Sequence, residues 1–328
     1  MEPGLLKSAD WPILIDLYFF LGGVAGGAFV IATIASLLDG VRYRDVVRVG
    51  YYVAFVAVIP CPILLIVDLG IPARFLNMLM VSKPSFAIGM NAATAGPFHL
   101  KPYSPMSVGA WGLMAFSVCA FLCAAETWLA DRRSPTSPGD VGGTNRGFPL
   151  VRTIAGTIGS VFGFFLAAYP GVLLGATARP LFISAHWLGA LFLAVGAATG
   201  SAAIVLVLGW LRGPAAHDAR ARVMRVISVA LVAELVALIL LIVSVKAAGS
   251  EGVDAALSQL LMGRYSVPFW LGAVFLGAVL PLLLQRSAIG PRAAQMAALR
   301  ATLVLVGGFL VKFVLIAAGQ ASPAGGIG

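Results

Sequence analysis

Charge is scarce in this chain of 328 residues: Asp, Glu, Lys and Arg together make up 11% of it, against 60% hydrophobic residues. A soluble domain of this length shows more polar surface to water than that. Histidine is scarcer still. Of His99, His186 and His217, only His186 falls in a long apolar run, which argues against a membrane haem held by two histidines. The three cysteines, Cys61, Cys119 and Cys123, all sit in apolar runs. They are too few for a four-thiolate iron–sulfur cluster and lack zinc-site spacing, so they read as small core residues. No metal site is expected. The chain also has no Gly-rich phosphate loop ending in Lys and Ser or Thr, and no carboxylate pair arranged for hydrolysis.

What remains is apolar length. Mean hydropathy is +0.98, and runs of 20 or more apolar residues recur, which lipid accepts only as helices with every backbone group satisfied internally. Eight are visible, near 13–38, 46–69, 107–130, 151–177, 181–211, 223–248, 267–286 and 297–318. The expected class is an all-α integral membrane protein with eight transmembrane helices. The first run has no small-residue cleavage site and leads straight into more spans, so it reads as retained.

The net charge of +9 raises the question of nucleic acid, and the distribution answers it. Fourteen of the 22 Lys and Arg lie in the connections after spans 1, 3, 5 and 7 or at the adjoining helix ends, from Arg42, Arg44 and Arg48 through to Arg286, Arg292 and Arg300. By the positive-inside rule these connections face the cytoplasm and both termini are extracytoplasmic. The basic excess reports topology; no nucleic-acid partner is implied.

In the first span, Gly22/Gly26 and Gly23/Gly27 form overlapping small-xxx-small pairs that let a neighbouring backbone come close. Asp16 lies about one turn inside that span, where a carboxylate needs a partner, a proton or a ligand. Pro60 and Pro62 predict a kink in the second span. That span closes on Asp68, followed by Gly70, Pro72 and Arg74; the two charges read either as an end-cap pair at the interface or as the rim of a site at the membrane surface. The segment 70–104 is the longest connection, lies outside, and reads as a lid or docking surface. Ser104-Pro105 is an N-cap and first helical residue.

The Pro/Gly/Ser-rich stretch from Asp131 to Pro149 is the best boundary in the chain. It divides the chain into 1–148 and 149–328, expected as an N-terminal and a C-terminal four-helix bundle, with three of the eight runs before the boundary and the fourth opening just after it. Tyr169-Pro170-Gly171 puts an aromatic hydroxyl beside an expected helix break that would open a crevice. Tyr169 and Arg179 would be about 15 Å apart on an unbroken helix, so Tyr169 is the candidate head-group contact and Arg179 the rim. Glu126, Glu234 and Lys312 lie within spans, where ionisable residues face the protein interior and either pair or line a proton path. Asp16, Asp68, Arg74, His99, Tyr103, Tyr169, Arg179, His186 and Lys312 all fall in the outer half, which suits a small amphipathic ligand that enters from lipid and exchanges protons.

Five stretches, in order, carry a resemblance: Leu17–Gly27, Asp68–Leu79, Ser104–Trp111, Tyr169–Pro180 and Gly307–Gln320. With them the chain resembles the NrfD/polysulfide-reductase membrane-subunit family over nearly its whole length. The resemblance implies a quinone/quinol-binding subunit (menaquinone or ubiquinone) in the bacterial cytoplasmic membrane, with no haem or iron–sulfur cluster of its own and no activity alone. The implied partners are a four-cluster ferredoxin-like iron–sulfur subunit and a molybdopterin catalytic subunit of polysulfide, thiosulfate or formate type. Tyr169 matches the family's quinone-contacting Tyr, and Asp68 with Arg74 its charged pair after the second helix. The family places Asn or His early in the first helix where this chain has Asp16, whose carboxylate can accept a quinol proton; Tyr169 and Asp16 are the expected hydrogen-bond partners of the two quinone oxygens, with Asp68, Arg74 and Arg179 as rim and proton relay. Two competing classes fit the composition: a secondary transporter of a small solute, with interrupted helices and buried charges, and a passive membrane anchor.

Overall fold

The computed structural model describes residues 11–40, 42–75, 79, 104–133, 149–177, 179–211, 214–249, 251–287 and 293–321. Among these every regular element is helical: α1 Ile13–Asp39, α2 Arg44–Val67, α3 Pro105–Arg133, α4 Pro149–Gly175, α5 Pro180–Ser184, α6 Leu188–Trp210, α7 Pro214–Ala247, α8 Glu251–Leu261, α9 Pro268–Leu283 and α10 Ala293–Ala321. Most of the expected docking segment, with His99 and Tyr103, lies outside the described residues, as does the side chain of His217.

Seven helices (α1, α2, α3, α4, α6, α7 and α10) are long and apolar enough to cross a membrane, and the chain is a multi-pass membrane protein. The span expected at 267–286 is the departure. It is a shorter apolar helix, and its first part, Pro268–Val279, is wound as a π-helix. It packs closely on α10, because a Cβ added to Gly277 would meet the Cα of Gly307 at 2.5 Å.

Prolines account for one other break; a second break has no proline, and one expected at a proline is absent. α2 divides at Ile59 into Arg44–Val58 and Pro60–Val67, where Pro60 and Pro62 supply no N–H to the ladder. The run read as one span from 181 begins as the one-turn α5, turns at 185–187, and restarts as α6. By contrast α4 continues through Pro170 to Gly175, so the break expected at Pro170-Gly171 does not form. Instead Gly171 is where α4 meets the start of α6: a Cβ there would lie 2.5 Å from the backbone N of Gly189.

α1 and α6 are the most buried of the long helices and pack on each other. The two glycine pairs of α1 serve different neighbours. Gly22 and Gly26 face Leu166 and Gly163 of α4, while Gly23 and Gly27 face Gly196 of α6. Around this centre α1 also contacts α2, α3 packs mainly on α4 and α2, and α6 contacts α7 and α10. Polar ties at one end hold the helices in register: Arg48 Nε meets Asp131 at 2.8 Å, and Thr33 shares a 3.2 Å hydrogen bond with Tyr51. Short α8 turns Val253, Ala256, Leu257 and Leu260 inward and leaves Asp254 and Gln259 exposed.

Candidate functional site

A pocket of ≈ 50 Å³ opens among the start of α1, the end of α2, the start of α3 and the C-terminal part of α4. Its apolar walls include Ile15, Phe19, Leu65 and Leu173, and its polar groups come from Tyr18, Asp68 and Tyr169. Met106, 44% exposed, is the most exposed of the lining side chains.

Each polar group is placed by local sequence. Tyr169, one residue before Pro170, donates its hydroxyl hydrogen to the Pro105 carbonyl at 2.7 Å and packs against Phe165, ring centroids 5.1 Å apart. Gly109, one turn into α3, makes room for it, since any side chain there would run into the Tyr169 ring and hydroxyl. With its hydrogen committed to Pro105, the Tyr169 oxygen presents lone pairs to the pocket and acts as an acceptor. Tyr18 is 3% exposed and lines the same pocket, and among the described residues its hydroxyl makes no hydrogen bond. It is free to donate. Asp68, just beyond α2, is half-buried, and desolvation raises its carboxyl above the ordinary carboxylate range. The pocket therefore offers a donor, an acceptor and an ionisable acid within apolar walls. That set matches a flat ring carrying two oxygens that gains or loses protons.

The other candidate residues fall elsewhere. Asp16 is 3% exposed with its Oδ1 unpartnered, and it does not line the pocket: α1 turns Ile15, Tyr18 and Phe19 toward it instead. Arg74 lies exposed on a 3₁₀ turn, Pro72–Arg74, and no ion pair joins it to Asp68. Arg179 is buried outside the pocket, where its Nη1 donates to the Gln320 carbonyl at 3.0 Å. Gln320 in turn exchanges two hydrogen bonds with the backbone of Trp11, at 2.9 and 3.2 Å, and Trp11 does line the pocket. His186 is exposed, with Nδ1 3.1 Å from the Ser184 carbonyl.

Glu126, Glu234 and Lys312 do not form one group. Glu126 lies between α3 and α4, 3.8 Å from Arg152, near Tyr51 and Cys123. Glu234 on α7 and Lys312 on α10 are both almost fully buried and lie within electrostatic reach of each other. Among the described residues no three His, Cys, Asp or Glu side chains gather as a metal site would require.

Sequence reasoning missed Tyr18 and Trp11. Tyr18 stands in a Leu-Tyr-Phe-Phe run that reads as apolar surface; the available signal was its position one turn before the first glycine pair, near the start of a closely packed helix.

The family model described as "Polysulphide reductase, NrfD" matches residues 2–324 of the protein. The protein is 28% identical to "Protein NrfD" of Escherichia coli (strain K12), over 96% of each. It is 23% identical to a polysulfide reductase chain of Wolinella succinogenes, over 94% of its own length and 93% of that relative. A third relative, a selenate reductase subunit of Mesobacillus selenatarsenatis, is 20% identical over 39% of the present sequence and 25% of its own.

Proposed function

The chain belongs to the NrfD polysulphide-reductase family, and from that premise we propose that it is the quinone/quinol-binding membrane subunit of a respiratory oxidoreductase in a bacterial cytoplasmic membrane. It exchanges electrons with an extracytoplasmic iron–sulfur subunit, itself joined to a molybdopterin catalytic subunit, and it has eight spans in two four-helix bundles with both termini outside. The observation that carries the reading is the pocket's donor set: a free Tyr18 hydroxyl, the Tyr169 oxygen and the Asp68 carboxyl set in apolar walls.

When bound, a quinone supplies two-electron chemistry coupled to two protons. The protein's own residues hold and protonate. Tyr18 donates to one ring oxygen, while Tyr169 accepts from the other when it carries hydrogen. Asp68, ionised, takes a proton at its carboxylate and passes it toward the outer surface, with Arg74 and Arg179 at the margin of that route. Asp16, one face away on α1, is a second proton holder. A head group arriving from lipid enters past Met106.

A proton path through Glu234 and Lys312 is a second reading, favoured by the burial of both in the same half of the protein; Glu126 stands apart from it. Proton release by vesicles carrying Glu234→Gln tests that path, and unchanged coupling removes Glu234 from it.

The main reading is tested by extraction in mild detergent, followed by mass spectrometry of copurifying subunits and lipids. A quinone and an iron–sulfur protein in the same peak are expected. A protein that is alone and quinone-free, and that moves a solute when reconstituted, is instead a transporter; one that copurifies with its partners but never binds quinone is an anchor.

A further inference from the structure

Lys312 is 1% exposed and sits deep in α10, where a charge needs a compensating contact. Its Nζ donates to the Phe19 carbonyl of α1 at 2.6 Å. Gly23, one turn further along α1, keeps the place open, since a Cβ there would lie 2.7 Å from Nζ. The ring of Phe192 on α6 lies 5.2 Å beneath it. Among the described residues no carboxylate comes within ion-pairing distance of Nζ. Glu234 is in electrostatic reach from α7, as is Cys61 from α2.

Phe19 has two sides. Its carbonyl holds the Lys312 amine, and its side chain lines the pocket beside Tyr18, Asp68 and Tyr169. One residue therefore separates a buried cation from the head-group pocket. Two carboxylates lie near that space, Asp68 on the pocket wall and Asp16 on the adjoining face of α1, while the Arg179 guanidinium lies outside the pocket on the Gln320 carbonyl. Unopposed, the two carboxylates would repel any ligand oxygen that had lost its proton.

We propose that Lys312 is a positioning residue that sets the charge preference of this pocket, allowing an aromatic ring with an ionised hydroxyl to bind where the surrounding carboxylates would exclude it. This rests on the quinone reading and adds the charge state of the ring that the site accepts. No proton has to pass through Lys312. A unit charge about 10 Å away at an effective dielectric near 20 is worth roughly tenfold in a binding constant.

The test uses the purified complex and two probes: 2-hydroxy-1,4-naphthoquinone, ionised at neutral pH, and 2-methyl-1,4-naphthoquinone, which is neutral. Binding is followed by quenching of tryptophan fluorescence. Lys312→Met is expected to weaken the anionic probe by about tenfold and leave the neutral one within about twofold, whereas Lys312→Arg, which keeps the cation, retains the preference. Equal weakening of both probes, or no change in either, overturns the proposal. Wild-type protein that binds neither probe overturns the quinone reading itself. Should Lys312→Met not fold, Lys312→Gln, which keeps a donor for the Phe19 carbonyl and removes the charge, must weaken the anionic probe selectively or the proposal fails.

Discussion

Tyr169 gives its hydroxyl hydrogen to the carbonyl of Pro105, 64 positions earlier, at 2.7 Å. The bond ties the start of α3 to the C-terminal part of α4 and at the same time fixes which half of the phenol's hydrogen-bonding capacity faces the pocket. In the proposed quinone site Tyr169 is thus the acceptor for a quinol hydroxyl, and the donor role falls to Tyr18. In the intact complex Tyr169→Phe should lower both quinol turnover and thermal stability, because a structural bond is lost together with the contact. Full quinol-linked turnover in that variant would remove Tyr169 from the site.

Tyr18→Phe separates binding from structure, since among the described residues the hydroxyl has no partner to lose. One hydrogen bond is worth about 1–1.5 kcal/mol net, or roughly tenfold in affinity. Quinone binding should weaken by that factor while the melting temperature stays put; unchanged affinity would leave the donor unassigned.

Gly109→Ala should act through Tyr169, because the new methyl occupies the space of the phenol. Displacing a contact residue by about 1 Å costs on the order of a hundredfold in rate. Turnover is the readout, and a fully active Gly109→Ala protein would show that the position of Tyr169 does not matter.

Asp68 gives the pH dependence. Desolvation raises its carboxyl above the ordinary range, so between the ordinary and the raised value the folded protein holds a proton that the unfolded one has released. The associated stability falls as pH rises through that window. Quinol oxidation moves the other way, failing as pH drops through the raised value because a protonated Asp68 accepts nothing. Asp68→Asn should abolish that acidic limb and most of the activity. An unchanged limb would assign it to another group.

Arg152→Ala tests the other end of the first helices. It removes the partner 3.8 Å from Glu126, which is only 3% exposed, and loss of one member of a buried pair costs about 3 kcal/mol. The melting temperature in detergent should fall, and adding Glu126→Gln should restore part of it because the carboxylate that Arg152 offset no longer carries a charge. Quinone affinity should stay unchanged in both.

The legible parts of this chain were those written in local pattern. Apolar length marked the spans, Pro60 and Pro62 marked the division of α2, and the glycine pairs marked α1 as a packed helix. What the glycines faced was not legible, because one period of four serves α4 and the other α6, and only the fold distinguishes them. Pro170 illustrates a local signal overridden: the helix runs on because Gly171 allows α6 to close against it. Asp16 was placed by depth, correctly as buried, yet depth does not give azimuth, and one residue along α1 is about 100° of rotation. That rotation is why Ile15 and Tyr18 line the pocket and Asp16 does not. The Lys312–Phe19 contact spans 293 positions, and no window of sequence could have joined them.

The two bonds between Gln320 and the Trp11 backbone, with the Lys312 bond to Phe19, give the last long helix control over the outer end of the first. On the ribosome these partners are synthesised some three hundred residues apart, so α1 enters the bilayer long before anything holds its pocket-lining end in place. The site is therefore a late product of biogenesis, completed only when α10 has been released from the insertion machinery. A polypeptide stalled before that helix would already have most of its spans and still lack the bonds that hold Trp11 and Phe19 at the pocket.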